Sequence, residues 1–130
     1  MRRVRREATA PEIVVRRLVS GLGFRFRTNV PHLPGTPDLA NQRRGWAILV
    51  HGCFWHDHDG CRLATKPVRN RAAWEAKLSS NKERDAFRLV ALRERGLDVL
   101  VVWECETHDV GALRTRIDEF LKRKGVRSDS

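Results

Sequence analysis

The sequence predicts an α/β domain, a mixed sheet flanked by helices with elements in the order α-β-β-β-α-β-α. Two continuous apolar runs of strand length, Gly45–Val50 and Asp98–Trp103, read as strands covered on both faces. Apolar residues at helical spacing recur before, between and after these runs. The 130 residues suffice for one domain and not two, so 1–130 is expected to form a single unit with loose basic ends at 1–8 and 122–130.

The first helix starts at Thr9-Ala-Pro-Glu12, a Thr cap with Glu three residues on and Pro in the first turn. Ile13, Val14, Leu18 and Val19 form its apolar stripe, and Gly21 ends it. Phe24-Arg-Phe-Arg27 alternates as a half-buried strand does. The segment Pro31–Asp38 is too proline-rich for a helix or a central strand, and Leu39 and Ala40 follow it as a short strand. Beyond the Gly45–Val50 strand and a cysteine–histidine loop, Asn70 is a candidate cap for a helix through Trp74 and Leu78. Phe87, Leu89, Val90 and Leu92 continue that helix to Gly96. Three strands in a row, then a helical crossover to the Asp98–Trp103 strand, make the sheet mixed. Thr107 or Asp109 caps a last helix with Val110, Leu113, Ile117, Phe120 and Leu121 turned inward.

Hydrophobic residues make up 41% of the chain, enough for a core and too many for a disordered or low-complexity protein. No apolar run approaches the roughly 18–20 residues of a membrane helix. Met1-Arg-Arg-Val-Arg-Arg lacks the apolar stretch of a secretory signal, so a soluble cytoplasmic protein is expected, with no membrane partner. Lys and Arg number 26 against 16 acidic residues, a formal charge of +10, and 21 of the cations are Arg. The guanidinium fork suits phosphate, which makes nucleic acid the leading partner.

Three cysteines do not complete a disulfide framework, and histidines surround them. Cys53, His58 and Cys61 form a C-x4-H-x2-C pattern, and Cys105 lies just past the last strand. Two or three thiolates with one imidazole make a closed tetrahedral zinc site. His56 is within reach of the same place, so the imidazole ligand is His58 or His56; the alternative is three buried free thiols with solvated histidines. Asp38, after Pro37 and before a short strand, is a candidate magnesium carboxylate, or else a turn residue. His51 and His56 could handle protons, since imidazole titrates near neutral pH. Glu12 could assist them while also serving the helix start. The adjacent aromatics Phe54-Trp55 in a polar loop fit either packing of a small metal-bound subdomain or a wedge that opens base pairs. Trp74 could join that wedge, although core packing explains it equally well.

Four blocks carry a resemblance: Leu33-Pro-Gly-Thr-Pro-Asp38, Val50-His-Gly-Cys-Phe-Trp-His56, Asn81-Lys-Glu-Arg-Asp85 and Val101-Val-Trp-Glu-Cys105. In order, over about Arg3 to Glu106, they resemble the very short patch repair endonuclease family. The resemblance implies a restriction-endonuclease-like fold. It also implies an enzyme that nicks one strand of duplex DNA beside a T:G mismatch left by deaminated 5-methylcytosine, giving a 5′ phosphate and a 3′ hydroxyl. By position, Asp38 and the main-chain oxygen of Val50 would hold catalytic magnesium. His56 would be the general base, with His51 and Glu12 assisting. Cys53, His58, Cys61 and Cys105 would hold structural zinc. Phe54, Trp55 and Trp74 would intercalate, while Lys77 and Asn81 reach base edges.

A monomer is implied, acting on nucleoid DNA in a bacterial-type cytoplasm, alongside a cytosine-5 DNA methyltransferase system and a repair polymerase. The His58-Asp59-Gly60-Cys61 spacing is one residue longer than in one example of the family. Two other readings keep the charge and the metal: a catalytically silent zinc-braced DNA-binding module, and a nickase of the same fold with another DNA target.

Overall fold

A computed structural model of the chain describes residues 10–56 and 58–123. The elements are α1 (Ala10–Gly21), β1 (Arg27–Thr28), β2 (Leu39–Asn41), β3 (Trp46–His51), α2 (Arg71–Glu94), β4 (Asp98–Trp103) and α3 (Val110–Arg123). Two 3-10 turns, Arg62–Ala64 and Glu104–His108, lead into α2 and out of β4. The sheet order is β1-β2-β3-β4. The first two pairings are antiparallel, and β3 pairs with β4 in parallel, with Trp46 opposite Asp98 and His51 opposite Trp103.

Alternation along β3 feeds two cores, because successive side chains point to opposite faces. Trp46 and Ile48 pack with Val15 and Val19 of α1 and with Leu113, Ile117, Phe120 and Leu121 of α3. Ala47 and Leu49 pack on the other face with Leu92, Leu97, Val30 and Leu33. This two-sided cover is why the run reads as continuously apolar.

Several sequence expectations shift in detail. The buried stripe of α1 centres on Val15 and Val19, and Ile13 is exposed. Thr9 lies outside the described residues, as do 1–8 and 124–130 of the basic ends; Lys122 and Arg123 continue α3. Phe24 does not begin a strand. The Phe24 N–H donates to the Val19 carbonyl (3.2 Å) and the Gly23 N–H to that of Ser20 (2.9 Å), a helix-ending motif closed by Gly23 at φ 92°. Strand pairing therefore waits until Arg27.

Asn70 precedes α2 in a left-handed conformation (φ 57°) and makes no side-chain cap. Leu78 and Leu92 are buried, whereas Phe87 and Val90 are exposed. At about 100° per residue, Phe87 falls on the side of the helix opposite Leu78. Asp109 caps α3, its Oδ1 accepting the Ala112 N–H at 3.2 Å, and Val110 is exposed. Among the described residues no helix is long and apolar enough to cross a membrane.

Candidate active site and metal centre

Parallel pairing brings the carboxyl ends of β3 and β4 side by side, and the antiparallel β2 starts at the same end. Asp38, just before β2, therefore meets the end of β3: its Oδ2 accepts the Val50 N–H at 2.7 Å. Glu12, from the first turn of α1, faces the same carboxyl and lies 4.0 Å from Arg16. Burial raises the Asp38 pKa from 3.8 to about 7; the Val50 N–H opposes this, while the hydrogen bond and the charge of Glu12 add to it. A buried carboxyl that holds its proton so firmly is ionised most readily beside a cation.

His51 ends β3 with 4% of its surface exposed, and both ring nitrogens lack hydrogen-bond partners. The turn that follows, in which the His56 N–H donates to the Gly52 carbonyl (3.1 Å), folds the His56 ring flat onto it. The ring centroids are 3.9 Å apart and the planes 6° apart. Burial, reinforced by the neighbouring His56, lowers the His51 pKa to about 4. His56 Nδ1 bonds Asp85 Oδ2 at 2.5 Å. The other Asp85 oxygen accepts from Arg88 Nη1 (3.1 Å), and Arg88 Nη2 donates to the Gly35 carbonyl (2.9 Å).

Beside this pair, one ligand atom from each of Cys53, His58, Cys61 and Cys105 lies within 4.8 Å of the others. His58 Nδ1 is 3.6 Å from the sulfurs of both Cys53 and Cys105. Zn–S and Zn–N bonds of about 2.3 and 2.0 Å at a tetrahedral angle give an S···N separation of about 3.5 Å. The set therefore fits zinc. Cys53 and Cys105 come together because they follow β3 and β4, and the Cys105 N–H donates to the Cys53 sulfur at 3.4 Å. Burial pushes the Cys53 thiol up to about 12 and raises Cys105 as well. For the half-buried Cys61, desolvation is the largest single effect, but the hydrogen bonds from the Leu63 N–H, Cys53, Cys105 and the Ala64 N–H together outweigh it and lower its pKa. A bound cation would ionise all three thiols. Of the two histidines the spacing left open, His58 joins the cysteines and His56 turns to Asp85.

Phe54, Trp55 and Trp74 form one aromatic group, with centroids 5.0 Å (Phe54–Trp55), 5.3 Å (Phe54–Trp74) and 6.0 Å (Trp55–Trp74) apart. Trp55 is half exposed. The Asn81 amide donates to the Trp55 carbonyl at 2.9 Å, and its oxygen accepts from Arg84. Lys77 is exposed on the same helix.

The profile of the DNA mismatch endonuclease Vsr family matches residues 1–62. Over 131 residues the chain is 36% identical to the DNA mismatch endonuclease Vsr of Escherichia coli K12, an overlap covering 97% of this chain and 83% of that one. The chain belongs to the Vsr family. It is also 43% identical over 121 residues to the type II nicking enzyme V.XorIIP of Xanthomonas oryzae pv. oryzae, covering 93% of this chain and 88% of the relative. With V.NmeAIP of Neisseria meningitidis, another type II nicking enzyme, identity is 33% over 122 residues, covering 94% and 86%.

This Vsr-family protein is thus a DNA endonuclease, a hydrolase, and it acts on DNA. The Vsr-family site also contains residues to which sequence reading assigned no role. Asp85 stood in a recognised block, yet on a charged helix it reads as a solvated side chain. Arg88 follows it at i+3, a spacing shared by any surface ion pair. Trp103 reads as strand core, but its ring lies flat on His58 and stands nearly perpendicular to that of His51.

Proposed function

We propose that this Vsr-family endonuclease is a magnesium-dependent nickase. It cuts one strand of duplex DNA beside a T:G mismatch arising from 5-methylcytosine deamination, which starts very short patch repair. The observation that carries this reading is the juxtaposition of the Asp38–Glu12 carboxyl pair, the His56–Asp85 pair and a part-exposed aromatic group around the end of one strand. The relatives, one a mismatch endonuclease and others nicking enzymes, support it.

Asp38 and the Val50 carbonyl would hold magnesium, which offsets charge on the phosphoryl group under attack. A strand residue turns its N–H and C=O to the same edge, and the Val50 N–H already meets Asp38. His56, fixed through Nδ1, is left with Nε2 to take a proton from the attacking water, and Asp85 offsets the charge the ring acquires. His51, kept neutral by burial, backs the His56 ring without adding a second charge. Glu12 tunes Asp38.

Phe54, Trp55 and Trp74 act as the wedge, opening the duplex where a mismatch makes unpairing least costly. Lys77 reaches toward the DNA. Asn81 supports the wedge through the Trp55 carbonyl. Cys53, His58, Cys61 and Cys105 would hold zinc and brace the loop that carries both wedge and base. The enzyme works as a single-domain monomer on nucleoid DNA in a bacterial-type cytoplasm. It serves cells that carry a cytosine-5 DNA methyltransferase and hands its nick to a repair polymerase.

The test is a duplex labelled on each strand with one T:G mismatch, incubated with protein and magnesium beside a matched duplex and Asp38→Ala. A magnesium-dependent nick next to the T, absent from both controls, is expected. Equal nicking of matched duplex would instead make it a nickase of another target. Binding without any nick would make it a silent DNA-binding module.

A further inference from the structure

We infer that Arg88 is a positioning residue for the nicking reaction: one guanidinium fixes both the Gly35–Asp38 loop that presents Asp38 and the Asp85 carboxylate that holds His56. The inference rests on the reading of Asp38 and His56 as the reacting groups.

Arg88 bonds two parts of the chain that lie far apart in sequence. Nη1 bonds Asp85 one turn back on α2, and Nη2 bonds the Gly35 carbonyl 53 residues away in sequence. The aliphatic part of the side chain lies against Gly35. A Cβ at that position would stand 2.3 Å from Arg88 Nε and 2.9 Å from its Cγ, and the backbone there is at φ +71°, so only glycine admits the contact. Nε is buried with no partner, so the guanidinium is held through its two terminal nitrogens alone.

Thr36, next along, sits at φ 46°, a region a β-branched residue avoids, so the tip needs outside support. The base of the loop is tied separately, by the Asn29 N–H to the Asp38 carbonyl (3.1 Å) and the Val30 N–H to the Pro37 carbonyl (3.3 Å). Loss of Arg88 would therefore free the tip and leave the fold. An i,i+3 pair alone would be worth little; the second bond, across to the Asp38 loop, gives this one its function. Lysine cannot substitute, because an ammonium has no planar fork to span both acceptors.

The experiment compares Arg88→Ala, Arg88→Lys and Gly35→Ala with wild type and Asp38→Ala on a T:G duplex. It measures kcat, KM, zinc content and thermal unfolding, and adds guanidinium chloride at low concentration. Arg88→Ala is expected to keep its zinc and cooperative unfolding, to lose about 100-fold in kcat at unchanged KM, and to regain activity with guanidinium. Arg88→Lys should not recover. Gly35→Ala, which displaces the guanidinium and keeps its charge, should lose kcat in the same way and decides the matter if Arg88→Ala does not fold. Wild-type kcat in both Arg88→Ala and Gly35→Ala, with Asp38→Ala inactive, overturns the inference. A raised KM with unchanged kcat also overturns it, making Arg88 a DNA contact. An active Asp38→Ala protein would overturn the proposed function instead.

Discussion

The indole of Trp103 lies flat on the His58 imidazole, with centroids 4.0 Å apart and planes 6° apart. It stands nearly perpendicular to the His51 ring, with centroids 5.1 Å apart. One side chain thus touches both the candidate metal cluster and the stacked histidine pair. Removing the metal should disturb both. Purified protein is expected to hold about one zinc per chain. Stripping it with a strong chelator, followed by removal of the chelator, should abolish nicking and lower the unfolding midpoint. A drop of at least about 10 °C is expected, since 1 kcal/mol moves the midpoint by roughly 4 °C at this size. Zinc should restore both properties and magnesium neither. Metal analysis with the nicking assay checks this.

The raised pKa of Asp38 predicts a stability cost with a definite direction. The folded state holds this proton to about pH 7, against 3.8 for the free group. Stability is therefore whole below about pH 4 and falls as pH rises toward 7. Asp38→Asn keeps an oxygen for the Val50 N–H and removes the titration. Without added magnesium it should come close to wild type near pH 4 and exceed it by about 4 kcal/mol at pH 8, while losing all nicking. Magnesium should stabilise the wild type and leave the variant unmoved. Urea unfolding at the two pH values measures the difference.

Asp85→Asn leaves His56 with a neutral partner that holds the ring but offsets its positive charge poorly. The nicking rate should fall by about 10²–10⁴-fold, the range of general-base catalysis, with duplex affinity retained. His56→Ala should lose as much, and the double variant little more, because the pair acts as one unit. Single-turnover rates with saturating enzyme report the loss directly.

Trp55 is the most exposed member of the aromatic group, at 50%. Phe54→Ala with Trp55→Ala should abolish mismatch nicking and weaken mismatch binding by roughly 10- to 100-fold, as loss of one or two stacked bases does. Zinc content should be unchanged. Titration of wild type with T:G duplex should quench tryptophan fluorescence more than matched duplex does.

The strand and helix order is legible because apolar period and turn residues agree for β3, β4 and α3. Gly45–Val50 is apolar throughout since both faces are covered, and no competing pattern fits it. The Phe24–Arg27 run misleads because its alternation is real, yet the backbone of Phe24 is already committed to closing α1. Phe87 and Val90 continue the apolar spacing of α2 but fall on its outer side, and periodicity in so charged a helix does not mark which side is covered.

At the site, the cysteines and His58 are legible because metal-ligand chemistry restricts residue type and spacing. Choosing between His56 and His58 required knowing where Asp85 lies, and that depends on how α2 crosses the sheet. Trp103 is beyond a linear reading for the same reason: its role comes from the parallel register that sets it opposite His51.

Cys105 and Cys53 are 52 residues apart in the chain, although their backbone and sulfur touch in the folded protein. As the polypeptide emerges from the ribosome, Cys53, His58 and Cys61 appear long before the strand that delivers Cys105 and Trp103. A nascent chain can neither close its metal centre nor seat His51 against Trp103. The last strand thus completes both the Cys/His cluster and the packing of the paired histidines.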